Sequence, residues 1–229
     1  MGWPKLLVLV RHAESEGNLL PVDSRARLKV ATHAYSLTSR GRKQARITGQ
    51  YLRERFGEFD AYYTSDYRRA AETMRIMYPR VRACEDPRLA EAQRGIYHTM
   101  TRAQIKKKFP EELARKELEG LYRYRPIGGE SWPDVEERIR SFQGTLEKKH
   151  ENERVLVVTH GHWLILFQRL VHSFGIEEAK ERYHMGVVEN ASVAVYTGAP
   201  TEDVSWQDLF EESIVPWEGK LPKISQTTK

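Results

Sequence analysis

Two continuous apolar runs, each followed directly by a histidine, limit what this chain can fold into. Residues 5–10 read KLLVLV and precede Arg11 and His12, and residues 154–159 read RVLVVT and precede His160. An unbroken apolar run, without the alternation of a half-exposed strand, is typical of a strand that is buried on both faces of a sheet. Strands of this kind occur in folds whose sheet is covered by helices on both sides.

The segments between these runs have the periodicity of helices and further strands. Residues 39–56 carry an apolar stripe, with Thr38 or Ser39 as the N-cap and Gly57 where a C-cap is expected. The pattern also predicts helices over 69–77, 131–150 and 163–171, and strands over 60–64, 81–84 and 191–196. The chain is therefore predicted to be α/β, a three-layer sandwich with a mostly parallel central sheet and helices on both faces.

The middle and the end of the chain differ from this pattern. Residues 92–130 contain two polar segments of helical periodicity, separated at Pro110, and we interpret them as a helical cap inserted into a single domain of residues 1–229. Residues 200–229 have little pattern and are predicted to form a C-terminal tail. One further strand or helix is expected around 204–214.

Composition excludes several classes of protein. The 229 residues are 40% hydrophobic and 30% charged, which is too apolar for a disordered chain. Cys84 is the only cysteine, so neither a disulfide framework nor a cysteine-built zinc site is expected. The apolar stretch at 6–10 is too short for a signal-peptide core, and no stretch approaches the roughly 20 apolar residues of a membrane helix. We therefore expect a cytoplasmic protein without a membrane partner.

Net charge favours an anionic partner of some kind. Lys plus Arg number 37 against 32 for Asp plus Glu, which gives a formal charge of +5. An excess of this size suits a nucleic acid, a membrane surface or a phosphorylated substrate equally well.

The histidines that follow the two apolar runs are the first candidates for a functional site. Ligands of open α/β sheets bind at the carboxyl ends of the strands. If the two strands are parallel neighbours, His12 and His160 share one crevice. The alternative is that each histidine lies at a strand end by chance.

Arginines add to the case for an anion site. Arg11 precedes the first histidine, and Arg68 and Arg69 open the helix after the strand at 60–64. Guanidinium groups bind phosphate through paired, planar hydrogen bonds, although a single arginine is more often a solvated surface residue. Asn18 offers a further donor from the loop after the first strand. The combination indicates a site for a phosphoryl dianion.

Five segments resemble, in order, those of the histidine phosphatases, also called the phosphoglycerate mutase-like superfamily. They are RHAESEGN at 11–18, LTSRGRKQA at 37–45, TSDYRRAAET at 64–73, GES at 129–131 and VVTHG at 157–161. The first segment alone would be weak, whereas five in the family's order are specific. The resemblance implies a phosphoglycerate mutase-like fold and a small phosphorylated substrate, with no metal, no cofactor and no nucleic-acid partner.

The resemblance also implies roles for individual residues. His12 matches the family's phosphorylated nucleophile, and Glu91 falls where the proton donor is usually found. Three further residues near the crevice are interpreted as substrate contacts. The candidates are catalytic His12, Glu91 and His160, phosphate-binding Arg11, Asn18, Arg69 and Gly161, and substrate-binding Ser15, Arg25 and His162. Glu14, Glu85 and Asp86 are the alternative proton donors.

These residue types suit phosphoryl transfer through histidine. A neutral imidazole is a nucleophile near pH 7. Fixed cations, here Arg11, Arg69 and His160, stabilise charge on the equatorial oxygens of the phosphoryl group. An acid protonates the leaving oxygen. We predict a metal-independent phosphatase, a phosphoric monoester hydrolase of the histidine acid phosphatase type, acting on a small phosphomonoester through a phosphohistidine on His12.

Two alternatives remain. One is a cofactor-dependent phosphoglycerate mutase, which uses the same centre. The residues after Glu91 (AQRGIYH) and after Gly161 (HWLI) depart from the corresponding mutase segments. The other is a non-catalytic anion-binding scaffold with the same fold, and retention of the core site residues argues against it.

Overall fold

One sheet forms the centre of the structure, a computed structural model that describes residues 2–21, 24, 26, 30–198 and 209–221. Within these residues the sheet has six strands in the order β3-β2-β4-β1-β5-β6. The strands β1 to β4 pair in parallel, and β5 and β6 are antiparallel to their neighbours. The strands are β1 (Leu6–Arg11), β2 (Ala61–Thr64), β3 (Cys84–Glu85), β4 (Arg154–Thr159), β5 (Val193–Thr197) and β6 (Phe210–Ile214).

Helices cover both faces of this sheet. The described α-helices are α1 (Glu16–Leu19), α2 (Ser39–Phe56), α3 (Arg68–Met77), α4 (Arg102–Lys108), α5 (Pro110–Arg123), α6 (Trp132–Lys149), α7 (Gly161–His172) and α8 (Ile176–Met185). Short 3₁₀ turns occupy Thr32–Ala34, Pro87–Leu89 and Gly95–His98. Among the helices described, none is both long and apolar enough to cross a membrane.

The alternation of side chains along β1 explains the three layers. Leu7 and Leu9 belong to the core beneath α6 and α7, whereas Leu6, Val8 and Val10 belong to the core beneath α2 and α3. Successive residues of a strand point to opposite faces, so an apolar residue is needed at every position. The predicted three-layer α/β sandwich is confirmed.

The pairing of β1 with β4 brings the two histidines to one edge. The strands are parallel neighbours in a register that places Arg11 beside Thr159. The backbone N–H of His12 then donates a hydrogen bond of 2.8 Å to the carbonyl oxygen of Thr159. His12 and His160 therefore leave the sheet side by side, as the sequence predicts.

Local capping sets the ends of the longer helices. Thr38 caps α2, because its hydroxyl oxygen accepts a 2.9 Å hydrogen bond from the backbone N–H of Gly41, and Gly57 ends the helix with a φ of 69°. Pro110 separates α4 from α5, as predicted, and is itself the first residue of α5. Proline suits this place because the first turn of a helix does not use its N–H groups.

The structure differs from the sequence prediction at β3 and at α8. The strand expected over 81–84 is only Cys84–Glu85 and pairs with β2 over two residues, while Val81 and Ala83 pack as side chains against the core beneath α2. Helix α8 has no counterpart in the prediction, because only Ala179 of its residues is buried and its apolar stripe is weak. The further strand or helix expected around 204–214 is the strand β6 at Phe210–Ile214.

A buried ion pair holds the segment between β3 and α6 against the core. Glu136 of α6 accepts hydrogen bonds from Arg169 of α7 at 2.7 Å and from the hydroxyl of Tyr122 of α5 at 3.0 Å. The carboxylate is almost fully buried. Helix α5 is thereby fixed to both α6 and α7, since breaking a buried pair leaves an uncompensated charge.

The backbone of α2 packs closely against the loop after β1, and this contact can be tested at Gly41. A Cβ atom at Gly41 would lie 1.9 Å from the carbonyl oxygen of Glu14, in the loop after β1. We expect Gly41→Ala to lower the free energy of unfolding by about 1–3 kcal/mol or more, measured by urea denaturation at pH 7.

The matched control is Gly144→Ala in α6, where a Cβ atom would meet nothing within 4 Å. We expect this variant to be more stable by about 0.5–1 kcal/mol, because alanine favours a helix interior over glycine. Equal effects of the two substitutions would contradict the packing described here.

Candidate active site

The carboxyl ends of β1 and β4 open into a pocket of about 240 Å³. Its wall also includes the start of α3, the segment after β3, the start of α7 and the end of α8. The predicted site residues found in the wall are Arg11, His12, Ser15, Asn18, Arg69, Glu91, Gly161 and His162. His160 is fully buried and does not line the pocket. Arg25 lies outside the described residues.

Side chains from two helices hold the backbone of the loop after β1. Gln44 of α2 accepts a 2.8 Å hydrogen bond from the N–H of Glu14, and Thr73 of α3 accepts a 3.0 Å hydrogen bond from the N–H of Ala13. Both residues belong to the segments that resemble the family. These polar residues therefore satisfy buried backbone donors beside His12.

Asn190, which was not among the predicted site residues, supports the loop from the other side. Its side-chain amide donates a 3.0 Å hydrogen bond to the carbonyl oxygen of His12, and its own carbonyl accepts a 2.6 Å hydrogen bond from Trp217. Asn190 lies shortly before β5, which pairs with β1. A prediction of this pairing from the sequence would have placed Asn190 near His12.

The hydrogen bonds of His12 identify which of its ring nitrogens carries the proton and which carries the lone pair. Nδ1 lies 2.8 Å from the carbonyl oxygen of Ala13, and a carbonyl only accepts, so Nδ1 carries the proton. Nε2 is 3.1 Å from the Nε–H of Arg69, which only donates. The imidazole is thus neutral, with the lone pair of Nε2 at the pocket.

His160 is fixed in the opposite tautomer by the same arginine. Its Nδ1 accepts a 3.1 Å hydrogen bond from Nη2 of Arg69, so Nε2 carries the proton and donates to the hydroxyl of Ser65 at 2.9 Å. The rings of His12 and His160 are 5.1 Å apart. Arg69 also donates a 2.8 Å hydrogen bond to the carbonyl oxygen of Thr32. The guanidinium group therefore bridges both histidines.

Burial and positive charge keep both imidazoles neutral. Burial lowers the pKa of His12 well below the usual 6.5, and the charges of Arg69 and Arg11 lower it further. Burial, followed by Arg69, likewise lowers the pKa of His160. In the ligand-free protein His160 is therefore uncharged, which differs from the cation that the sequence analysis assigned to it.

Arg11 and Asn18 present donors to the same pocket. Arg11 passes beside Gly161, where a Cβ atom would come within 3.2 Å of its Nε, and it donates a hydrogen bond to the carbonyl oxygen of Val188. The side-chain oxygen of Asn18 accepts hydrogen bonds from the N–H and the hydroxyl of Ser15, at 2.9 and 2.8 Å. The NH₂ end of Asn18 is therefore the end available to a ligand.

Among the described residues, Glu91 is the only carboxylate in the pocket wall. It accepts a 3.0 Å hydrogen bond from the N–H of Ala92. The alternatives are placed elsewhere: Asp86 is in an ion pair with Arg88, Glu14 is buried and bound to the N-cap hydroxyl of α2, and Glu85 is exposed on β3. Nowhere in the described ranges do three or more His, Cys, Asp or Glu side chains form a group suited to a metal ion.

His162 is a second neutral imidazole of the pocket wall. Its ring stacks on Tyr183 with 4.6 Å between centroids and meets the ring of Trp132 edge-on at 4.8 Å. Burial lowers its pKa to about 4. Within the described structure its buried Nε2 has no hydrogen-bond partner.

The lowered pKa of His162 makes stability depend on pH. Below pH 6.5 the unfolded chain binds a proton at this residue, but the folded protein does not until about pH 4. Stability is therefore lost as the pH falls from about 6.5 to 4 and is fully present above that range. Between pH 7 and 5 the loss from this residue is about 2 kcal/mol.

We expect His162→Phe to fold with a correspondingly smaller fall in unfolding free energy between pH 7 and 5, measured by urea denaturation. Phenylalanine keeps the ring packing and removes the titration. The control is His184→Phe, at an exposed position of α8. A pH dependence of His162→Phe that matches the unaltered protein would refute this account.

The chain is similar to a known protein family and to individual proteins. Residues 7–209 match the histidine phosphatase superfamily, branch 1. Phosphoserine phosphatase 1 of Hydrogenobacter thermophilus is 32% identical over 156 residues, covering 67% of this chain and 70% of that protein. A 2,3-bisphosphoglycerate-dependent phosphoglycerate mutase of Parvibaculum lavamentivorans is 32% identical over 168 residues, covering 70% and 77%.

The fold is shared with solved structures as well. That of Bacillus stearothermophilus YhfR superposes with a TM-score of 0.68 at 26% identity, covering 90% of this chain and 94% of that one. The five ordered segments, the paired histidines at the ends of β1 and β4, and the match over residues 7–209 lead to one conclusion. The chain belongs to the histidine phosphatase superfamily.

Proposed function

We propose that the protein is a phosphatase that hydrolyses a small phosphomonoester through a phosphohistidine on His12, without a metal or a cofactor. The observation that carries this proposal is the hydrogen bond from Arg69 to Nε2 of His12. In this contact a neutral imidazole directs its lone pair at a fixed positive charge, which supports His12 as the nucleophile and the position beside Arg69 as the place where a phosphoryl group would bind. Similarity to a phosphoserine phosphatase supports the same activity.

The first step transfers the phosphoryl group to the enzyme. An entering phosphate takes the N–H donors of Arg69 and Arg11, which frees the lone pair of His12 Nε2 to attack phosphorus. The P–O bond to the leaving group breaks, and Glu91 gives its proton to the leaving oxygen. The hydrogen bond from Nδ1 to the carbonyl of Ala13 stabilises the positive charge that develops on the ring.

The second step returns the enzyme to its starting state. Water attacks the phosphohistidine, and Glu91, now ionised, accepts a proton from that water. The P–N bond breaks, which releases inorganic phosphate and neutral His12. In both steps, Arg11 and Arg69 stabilise the negative charge on the equatorial oxygens of the phosphoryl group. The charge of a bound phosphate would also favour protonation of His160, because an adjacent dianion raises the pKa of an imidazole.

A phosphoglycerate mutase is the second candidate, because one of the relatives at 32% identity has that activity. It would use the same phosphohistidine and return the phosphoryl group to another hydroxyl. Trp163, in the segment that departs from the mutases, is fully buried and donates a 2.9 Å hydrogen bond to the carbonyl oxygen of Arg88, away from the pocket. A coupled assay with 2,3-bisphosphoglycerate and 3-phosphoglycerate distinguishes the two, since rapid interconversion of phosphoglycerates would favour the mutase.

The nucleophile is tested with p-nitrophenyl phosphate in EDTA. We expect the protein to release p-nitrophenol, and a rapid acid-free quench to trap a phosphoenzyme that is stable to base and labile to acid. His12→Ala should lose both the activity and the phosphoenzyme, whereas His184→Ala, at an exposed position, should retain them. Equal hydrolysis by His12→Ala would rule out this mechanism, and binding of phosphate without turnover would favour a non-catalytic scaffold.

The proton donor is tested with two leaving groups. For an alkyl phosphate such as β-glycerophosphate, we expect Glu91→Gln to lower kcat/KM by about 10²–10⁴-fold, because an alkoxide needs a proton to leave. For p-nitrophenyl phosphate the loss should be much smaller, because nitrophenolate leaves without one.

Glu85→Gln, at an exposed carboxylate on β3, serves as the control. It should leave kcat/KM unchanged for both substrates. A loss of equal size on both leaving groups would assign Glu91 a structural role instead.

A further inference from the structure

Two partly buried cations, Arg94 and Lys116, line a side pocket whose described wall does not include His12. Arg94 lines both the main pocket and a side pocket of about 60 Å³, which share part of their walls. Lys116 of α5 lines the side pocket and lies over the ring of Tyr97 at 4.9 Å. In the described structure neither side chain has a carboxylate partner.

The absence of a partner is unusual for this part of the chain. The other partly buried arginines around the cap and α6 form ion pairs. These pairs are Arg88–Asp86 at 2.6 Å, Arg115–Glu112 at 3.1 Å, Arg138–Glu130 at 2.7 Å and Arg169–Glu136 at 2.7 Å. Two neighbouring cations that are not paired with a carboxylate repel one another, so a bound anion would relieve a cost of the free protein.

The acids that reach the side pocket are already engaged. Both oxygens of Glu130 are held by Arg138, at 2.7 and 2.9 Å, and one also accepts the N–H of Gln93 at 2.9 Å. Glu91 lines the main pocket, where the proposed function uses it as the proton donor. The surface next to Arg94 therefore presents uncompensated positive charge to a ligand.

The positive groups fall into two sets along the pocket. Arg69 donates a 3.1 Å hydrogen bond to Nε2 of His12, whereas Arg94 and Lys116 line the side pocket, whose described wall does not include His12. One set of cations, Arg11 and Arg69, therefore lies at the proposed nucleophile, and the other, Arg94 and Lys116, lies at the side pocket. Such an arrangement suits a ligand with negative charge at both ends.

We propose that the substrate carries a second anionic group, a carboxylate or a phosphate, which binds Arg94 and Lys116 while its phosphoryl group lies against Arg11, Arg69 and His12. The planar guanidinium of Arg94 is suited to paired hydrogen bonds with either group, and the ammonium of Lys116 adds a point charge. The placement of the phosphoryl end rests on the proposed function. Arg94 is then a specificity-determining residue.

Three ligands on one scaffold test this by calorimetry. Propylphosphonate has one anionic end, 3-phosphonopropionate adds a carboxylate, and propane-1,3-bisphosphonate adds a second phosphonate. We expect at least one of the two-ended ligands to bind more tightly than propylphosphonate, and the tighter one identifies the second group. Arg94→Gln should weaken that ligand by roughly 10- to 100-fold while nearly sparing propylphosphonate.

Two further variants separate recognition from folding and from net charge. Arg94→Lys should recover part of the affinity for the two-ended ligand, because it keeps the charge and loses the paired geometry. Lys107→Gln removes one exposed charge from α4 and should leave all three affinities unchanged. Equal weakening of all three ligands by Arg94→Gln, or equal affinity of the unaltered protein for all three, would overturn the proposal.

The outcome does not depend on turnover, since a P–C bond is not hydrolysed. Selective loss in Arg94→Gln together with no hydrolysis of p-nitrophenyl phosphate would refute the phosphatase and retain the second anion site. Hydrolysis that depends on His12, together with unselective binding, would do the reverse.

Discussion

The guanidinium group of Arg69 is the contact on which the site depends. It donates one hydrogen bond to Nε2 of His12 and another to Nδ1 of His160, each of 3.1 Å. Arginine has no acceptor and does not lose its proton in proteins, so each imidazole must offer it a lone pair. One side chain thus fixes two tautomers, adds to the effect of burial that keeps both histidines neutral, and supplies a positive charge for the phosphoryl group of the proposed mechanism.

This contact is possible only because the loop after β1 is held in place on several sides. Gln44 and Thr73 accept hydrogen bonds from its N–H groups, and Asn190 donates to the carbonyl oxygen of His12. In the proposed mechanism, loss of this support would move the nucleophile His12 out of alignment with Arg69, and misplacement by about 1 Å can cost 10²-fold in rate. Gln44 and Thr73 belong to two of the family segments, so this support gives those two residues a structural role.

Charge is distributed unevenly around the pocket. Acids neutralise most of the partly buried arginines near it, so they contribute to packing rather than to ligand binding. Arg11 and Arg69 at the nucleophile, and Arg94 with Lys116 at the side pocket, are directed towards ligand space instead. The formal charge of +5 on the whole chain therefore does not identify the function. The positions of these four cations, by contrast, indicate where an anionic ligand would bind.

The sequence was sufficient to predict the two buried strands, helix α2 with its caps, and the family segments. These features depend on periodicity and on chemistry within a few residues. His12, Arg69 and Glu91 were likewise predicted as candidates, and they line one pocket. The place of His160 behind Arg69, the support from Asn190 and the unpaired charge of Arg94 could not be predicted. Those features join residues such as Arg69 and His160, 91 positions apart, whose contact exists only once the sheet has formed.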